Sequence, residues 1–167
     1  MLRGVAYVVS VGLSFLILLL AAGLFTPADF QGRVSGQIDA PAEKIWLVLH
    51  DLESIRSRFP EVKRIEPLDS GSKTGPGLRT WKTVTDSGSV AVYEAQDHSN
   101  RRMTIRMIES SSGFTGSWEY EISGNEMTLL TITERSHTTS LYLRALSFFT
   151  GRDARLKREF RSLQYAM

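Results

Sequence analysis

The sequence predicts an α+β fold: an antiparallel sheet of about seven strands against a long C-terminal helix, preceded by one transmembrane helix. Three observations predict it. An uncharged, strongly apolar run extends from Gly4 to Phe25. From Val62 onward, short stretches of strand composition alternate with turn signals. The chain then closes on Ser140 to Tyr165, where apolar residues recur at helical spacing.

The bulk properties bound the function. The chain has 167 residues, enough for one domain and an anchor. The formal net charge is +2, and Arg3 ahead of the apolar run supplies one of those charges. The remainder is near neutral and lacks the basic excess of a nucleic-acid binder, so no nucleic-acid partner is expected. There is no cysteine. Disulfides, thiolate metal sites and a cysteine nucleophile are therefore excluded.

Residues 1–26 are read as the membrane anchor. A helix from Val5 to Phe25 rises about 32 Å, and the hydrocarbon core is about 30 Å thick. Pro27 stops it. The rival reading is a cleaved signal peptide ending at Ala21-Ala22-Gly23, but this run exceeds the usual apolar core of about 7–15 residues. Arg3 on one side keeps the N-terminus cytoplasmic by the positive-inside rule. The expectation is a single-pass cell-membrane protein with its domain on the outer side.

Residues 27–31 read as a linker, and 32–167 as the domain. Gly32 to Ile38 alternates as a first strand. Asp39-Ala40-Pro41 opens a helix, with Pro at its first turn and Glu43 suited to the helix dipole. Ala42, Ile45, Val48, Leu49 and Leu52 form its apolar stripe. A short helix covers Glu53 to Arg58, ended by Pro60. Strands are expected at Val62–Leu68, Leu78–Thr85, Ser89–Ala95, Arg102–Glu109, Thr115–Ile122 and Met127–Arg135. The turn signals between them include Asp69-Ser70-Gly71, Gly75-Pro76-Gly77, Asp97 to Asn100 and Ser123-Gly124-Asn125. The clearest alternation sets Phe114, Gly116, Trp118, Tyr120 and Ile122 against Thr115, Ser117, Glu119 and Glu121. In the final helix Leu156, Phe160, Leu163 and Met167 form a stripe, and Leu146 and Phe149 continue it before Gly151. A sheet with one apolar face needs cover, and this helix is the natural cover.

Several segments together resemble a known superfamily. Ile38-Asp39-Ala40-Pro41-Ala42-Glu43-Lys44-Ile45-Trp46 is similar to the opening of START-like (SRPBCC) domains. Asp51-Leu52 and Phe59-Pro60-Glu61-Val62 match the usual continuation. Gly113 to Ile122 and Leu130 to Glu134 look like the last two strands. Arg144 to Gly151, leading to Leu163, resembles the final helix of the polyketide cyclase/dehydratase and lipid transport branch. The likeness covers about residues 32 to 165. It implies the helix-grip fold, a curved sheet gripping the C-terminal helix with a cavity between them. It also implies binding of a hydrophobic small molecule or lipid, and in some members cyclase or dehydratase activity. The fold alone assigns no ligand.

The expected ligand contacts are Trp81, Tyr93, Met103, Ile105, Met107, Trp118, Tyr120 and Phe149. Met adapts to irregular shapes, and Trp and Tyr offer apolar area with one polar tip. Plain core packing is the competing explanation for each. No catalytic residue is assigned, because no acid–base constellation stands out. Glu134, Tyr93 and Tyr120 are the candidates if the protein is an enzyme. His50, His98 and His137 lack metal-ligand spacing, and no nucleophile elbow, phosphate loop or zinc motif occurs. No cofactor or metal is expected. The basic residues Arg144, Arg152, Arg155, Lys157, Arg158 and Arg161 read as a solvated helix face, with anionic lipid as the sharper alternative. The leading expectation is a membrane-tethered binding module. The alternatives are a cyclase or dehydratase acting on an apolar metabolite, and a non-catalytic interaction domain.

Overall fold

Chain order explains the architecture, because one long crossing carries the backbone from one sheet edge to the other. The computed structural model describes residues 2–68, 77–124 and 127–167, with side chains in the first helix given for Tyr7 and from 9 onward. The predicted turns at Asp69-Ser70-Gly71, Gly75-Pro76 and Asn125, and the side chain of Arg3, lie outside the described residues. The elements run α1 (Leu2–Phe25), β1 (Asp29–Ile38), α2 (Ala42–His50), α3 (Leu52–Arg58), β2 (Val62–Leu68), β3 (Leu78–Thr85) and β4 (Val90–Ser99). They continue with β5 (Arg102–Ser110), β6 (Phe114–Ser123), β7 (Thr128–Thr138), α4 (Leu141–Thr150) and α5 (Ala154–Tyr165). The sheet order is β1-β7-β6-β5-β4-β3-β2, antiparallel throughout. Helices α2 and α3 make the crossing from β1 to the far edge at β2, and the remaining strands meander back.

Local chemistry sets the boundaries. Pro41 caps α2 in an extended conformation, one position ahead of the expected first turn. Asp51 caps α3 by accepting the Glu53 N–H at 3.0 Å. Ser140 does the same for α4 from Leu143 at 3.4 Å. Gly151, at φ +86°, ends α4 in a conformation that L side chains rarely adopt. The expected long helix is therefore two helices. Leu146 and Phe149 lie on α4, out of phase with Leu156, Phe160 and Leu163, and remain largely exposed.

The core lies between the concave face of the sheet and the helices. Ile45 and Leu49 of α2 and Leu156, Phe160 and Leu163 of α5 pack with Trp81, Ile105, Trp118, Tyr120, Ile122, Leu130 and Ile132 from the strands. Two glycines of β1 make room for α5. A Cβ on Gly36 would stand 2.6 Å from the Phe160 ring, and one on Gly32 would stand 3.3 Å from Leu156. Register shifts between Val92 and Tyr93 and between Asp97 and Ser99 bulge β4 against β5. Such bulges bend and twist a strand, which suits a sheet that wraps a helix.

The N-terminal expectation is corrected. Among the described residues, no helix is long and apolar enough to cross a membrane. Helix α1 runs from Leu2 to Phe25. Its C-terminal turn is instead tied to the domain. Arg144 of α4 donates to Thr26 O at 2.6 Å and to Leu24 O at 3.0 Å. Gly23 lies so close to the Leu141 carbonyl that a Cβ there would approach it to 2.5 Å. The transmembrane helix in the fold class, the membrane partner and the single-pass, outward-facing location all fall with it.

Candidate functional site

The sheet and α5 leave two spaces with a shared wall. The inner recess has a volume of about 60 Å³ and is lined by Ile55, Arg58, Phe59, Trp81, Thr83, Tyr93, Ile105, Trp118, Tyr120, Arg155 and Glu159. On the same measure a single water needs about 10–15 Å³, so the recess has room for a few waters or a group of that size. The outer cleft has a volume of about 670 Å³ and reaches past Met107, Phe114 and Glu134 to Leu143 and Leu146 of α4. That falls within the range of about 300–1,000 Å³ usual for small-molecule sites. Phe59, Thr83, Tyr93 and Arg155 line both spaces and form the neck between them.

Three buried polar side chains form one side of the recess. Tyr120 on β6 donates its hydroxyl proton to Glu159 Oε1 on α5. Arg58 at the end of α3 holds its Nη1 3.8 Å from the same oxygen, and both charged side chains are 4% exposed. Arg58 Nε donates to Ser54 O at 3.3 Å, but buried Nη1 has no hydrogen-bond acceptor. Helical spacing explains the placement of Glu159. Residues 156, 159, 160 and 163 share one face of α5, so the carboxylate enters the core beside three apolar neighbours.

Aromatic rings form the other side. Trp81 stacks on Tyr93 with centroids 5.6 Å apart and an interplanar angle of 11°. Tyr93 meets Trp118 at 6.3 Å. The Arg155 guanidinium carbon lies 4.7 Å from the Trp118 ring and 4.9 Å from the Phe114 ring. This is a cation–π arrangement that holds the charge at the neck. Among the described residues no carboxylate lies within ion-pair distance of Arg155.

Burial shapes the two phenols. Tyr120 is pushed well above the usual 10.0, first by burial and then by the Glu159 charge, with Arg58 opposing. Tyr93 is raised by burial, partly offset by the Arg155 charge. Both hydroxyls therefore stay protonated and remain donors through neutral pH. In the unfolded chain these phenols ionise near pH 10, and in the fold they ionise later. Their contribution to stability is thus complete below pH 10 and is lost as pH climbs from there through the folded values. A phenolate titration at 295 nm should show late-ionising tyrosine, and Tyr120→Phe should remove part of that late step. A variant with an unchanged titration would contradict the burial of Tyr120.

Glu134 on β7 lies opposite Trp118 of β6 and is 2% exposed. It lines the outer cleft, and its Oε2 has no hydrogen-bond partner. Trp118 Nε1 is likewise buried without an acceptor. Unpaired buried polar atoms are uncommon in folded proteins, and these two belong to residues paired across neighbouring strands, Trp118 lining the recess and Glu134 the cleft.

The structure distributes the sequence-expected contacts unevenly. Trp81, Tyr93, Ile105, Trp118 and Tyr120 line the recess, and Tyr93 and Met107 line the cleft. Met103 is fully buried and lines neither; its sulfur lies 3.7 Å from Arg79 Nη2. Phe149 is 61% exposed, edge-on to Phe148, and also lines neither. Arg58 and Glu159 escaped the sequence reading as site residues, and Arg155, read as part of a solvated basic helix face, lines both spaces. The signal for Glu159 was present, as the one acid on the apolar stripe of an otherwise basic helix. The histidines lie elsewhere. His50 Nε2 meets Asp97 Oδ2 at 3.0 Å, His98 meets Thr104 at 2.9 Å, and His137 meets Asp29 at 2.8 Å.

Known proteins place this architecture. No curated protein matches the chain. The Zhui aromatase/cyclase from Streptomyces sp. R1128 superimposes with a TM-score of 0.67 at 16% identity, covering 83% of this chain and 93% of that one. A conserved protein from Geobacillus kaustophilus gives 0.64 at 17%, covering 82% and 94%. Norcoclaurine synthase from Thalictrum flavum, in complex with dopamine and hydroxybenzaldehyde, gives 0.58 at 14%, covering 84% and 87%. At these identities the likeness establishes the fold. The family model for polyketide cyclase / dehydrase and lipid transport proteins matches residues 30–155, from the first strand into the last helix. With that match, the chain belongs to the polyketide cyclase / dehydrase and lipid transport family.

Proposed function

We propose that this protein binds a hydrophobic small molecule in the cleft between the sheet and the helices α4 and α5. The observation that carries this reading is the cleft of about 670 Å³, walled by Phe30, Tyr93, Met107 and Phe114 and ending in the aromatic neck. A solid core would have argued for an interaction domain instead. Members of this fold include one named as an aromatase/cyclase and one solved with two small aromatic compounds, which supports an aromatic or similarly flat ligand. The test uses Nile red, a neutral apolar dye. It is expected to bind with a blue-shifted emission and one-to-one stoichiometry. Ala91→Trp, which fills the cleft from β4, should weaken it about tenfold or more, the cost of blocking a pocket that buries most of its ligand. Absence of binding by Nile red and by a panel of phospholipids and fatty acids would end the proposal.

A second reading is favoured by the polar lining. A pocket of purely apolar side chains would offer no chemistry, whereas Glu134 presents a buried, unpartnered carboxylate oxygen to the cleft. Such a carboxylate suits removal of a proton next to a carbonyl, with a neutral phenol such as Tyr93 donating to the oxygen that gains charge. On this reading the protein is a cyclase or dehydratase; in the dehydration the β C–O bond breaks as the C=C bond forms, and the proton taken by Glu134 goes to the departing hydroxyl, which leaves as water. With β-hydroxy aromatic ketones as trial substrates, Glu134→Gln should lower turnover by about a hundredfold or more while leaving Nile red affinity intact. Equal rates in both proteins would remove Glu134 from any such role.

A further inference from the structure

We infer that the inner recess is an anion subsite, so that the preferred ligand is a hydrophobic small molecule carrying one acidic group. This deepens the cleft-binding proposal and rests on it. Two guanidinium groups face the recess, Arg58 from α3 and Arg155 from α5, against one carboxylate, Glu159. The lining therefore carries one excess positive charge. Arg58 Nη1 is a buried donor with no acceptor, and Arg155 has no carboxylate at ion-pair distance among the described residues. A carboxylate satisfies both needs, because it neutralises the excess charge and accepts from both forks.

Size agrees with charge. The recess of about 60 Å³ is too small for a ring system but suits a carboxylate-sized head. The apolar body then occupies the outer cleft of about 670 Å³. Glu134 lines that outer space and not the recess, and among the described residues it is not within ion-pair distance of Arg58 or Arg155. The arrangement orders a ligand along the neck, acid inward and hydrocarbon outward. Arg155, held over the Trp118 ring at 4.7 Å, is the group an entering acid meets first.

The experiment compares 2-naphthoic acid with methyl 2-naphthoate on the full chain at pH 7.5, by quenching of tryptophan emission and by calorimetry. The acid should bind about tenfold or more tightly than the ester, as expected for charge-assisted hydrogen bonds. Arg155→Met should abolish that preference, so that acid and ester bind the variant with equal affinity. Glu159→Gln should strengthen acid binding, because it removes the carboxylate that competes for Arg58; loss of a merely structural contact would not do so. If Arg155→Met fails to fold, Arg58→Lys tests the same point, since the shorter reach of its point charge should reduce the preference. Equal affinities for acid and ester, or a preference that survives Arg155→Met, would overturn the anion subsite and leave the cleft proposal standing. Failure of both probes to bind, together with failure of Nile red, would overturn both.

Discussion

Arg58→Met is expected to cost about 3–5 kcal/mol of folding stability, the size seen when one member of a buried ion pair is removed. The reason is what it leaves behind. Glu159 is 4% exposed, and its only cationic partner within ion-pair distance among the described residues is Arg58. Without that charge, the carboxylate keeps only the Tyr120 hydroxyl as a donor. The double variant Arg58→Met, Glu159→Gln should recover much of the loss. A glutamine has similar shape, carries no charge and still accepts from Tyr120, so no uncompensated ion remains. Urea denaturation of the wild type and of the three variants that complete the cycle measures this. A single variant within about 1 kcal/mol of wild type would mean that water solvates Glu159, in conflict with its burial.

The second large effect is expected at Leu163→Ala, about 2–5 kcal/mol, from lost burial together with the cavity left in the core. Leu163 is 0% exposed on α5, the helix that the sheet grips. The glycines of β1 already allow α5 to approach closely, so little slack remains to close a void. Leu146→Ala on α4 is the internal comparison. Its side chain is 44% exposed, and its substitution should fall near 0.5 kcal/mol. Thermal melts alongside denaturant curves give two readouts, with roughly 2–4 °C expected per kcal/mol for a domain of this size. Similar small losses at both positions would show that α5 is not part of the core.

Much of the fold was legible because the signals are local. The β6 alternation of Trp118, Tyr120 and Ile122 reads directly as one buried face, and the structure buries all three. The α5 stripe of Leu156, Phe160 and Leu163 reads equally directly as a helix packed on that face. Boundaries that depend on pairing were less legible. Asp29 to Gln31, read as linker, are strand because they pair with Arg135 to His137 of β7. Asp97 to Ser99, read into a turn, extend β4 because β5 lies beside them. No composition rule reports which distant backbone is available to accept a hydrogen bond.

The candidate site divides in the same way. Aromatic strand residues were legible as inward-facing, and most of them line the recess. Met103 and Ile105 share a face of β5, yet only Ile105 reaches the cavity, since Met103 is enclosed by its neighbours. Phe149 carries the right chemistry but sits on α4, ahead of the break at Gly151 where the helical phase restarts. The apolar N-terminal run was read by length and hydropathy alone, and those quantities carry no information about docking to α4 through Arg144.

Periodicity, caps and turn residues were enough for the element order, the antiparallel meander and the buried face of the last helix, because each depends on neighbours a few residues away along the chain. The division of the interior into a packed core, a recess and a cleft belongs to the tertiary structure alone. So does the meeting of Arg58, Tyr120 and Glu159 from three separate elements. Space between side chains is a difference between the volume the backbone encloses and the volume the side chains fill, and only the long-range arrangement sets that difference.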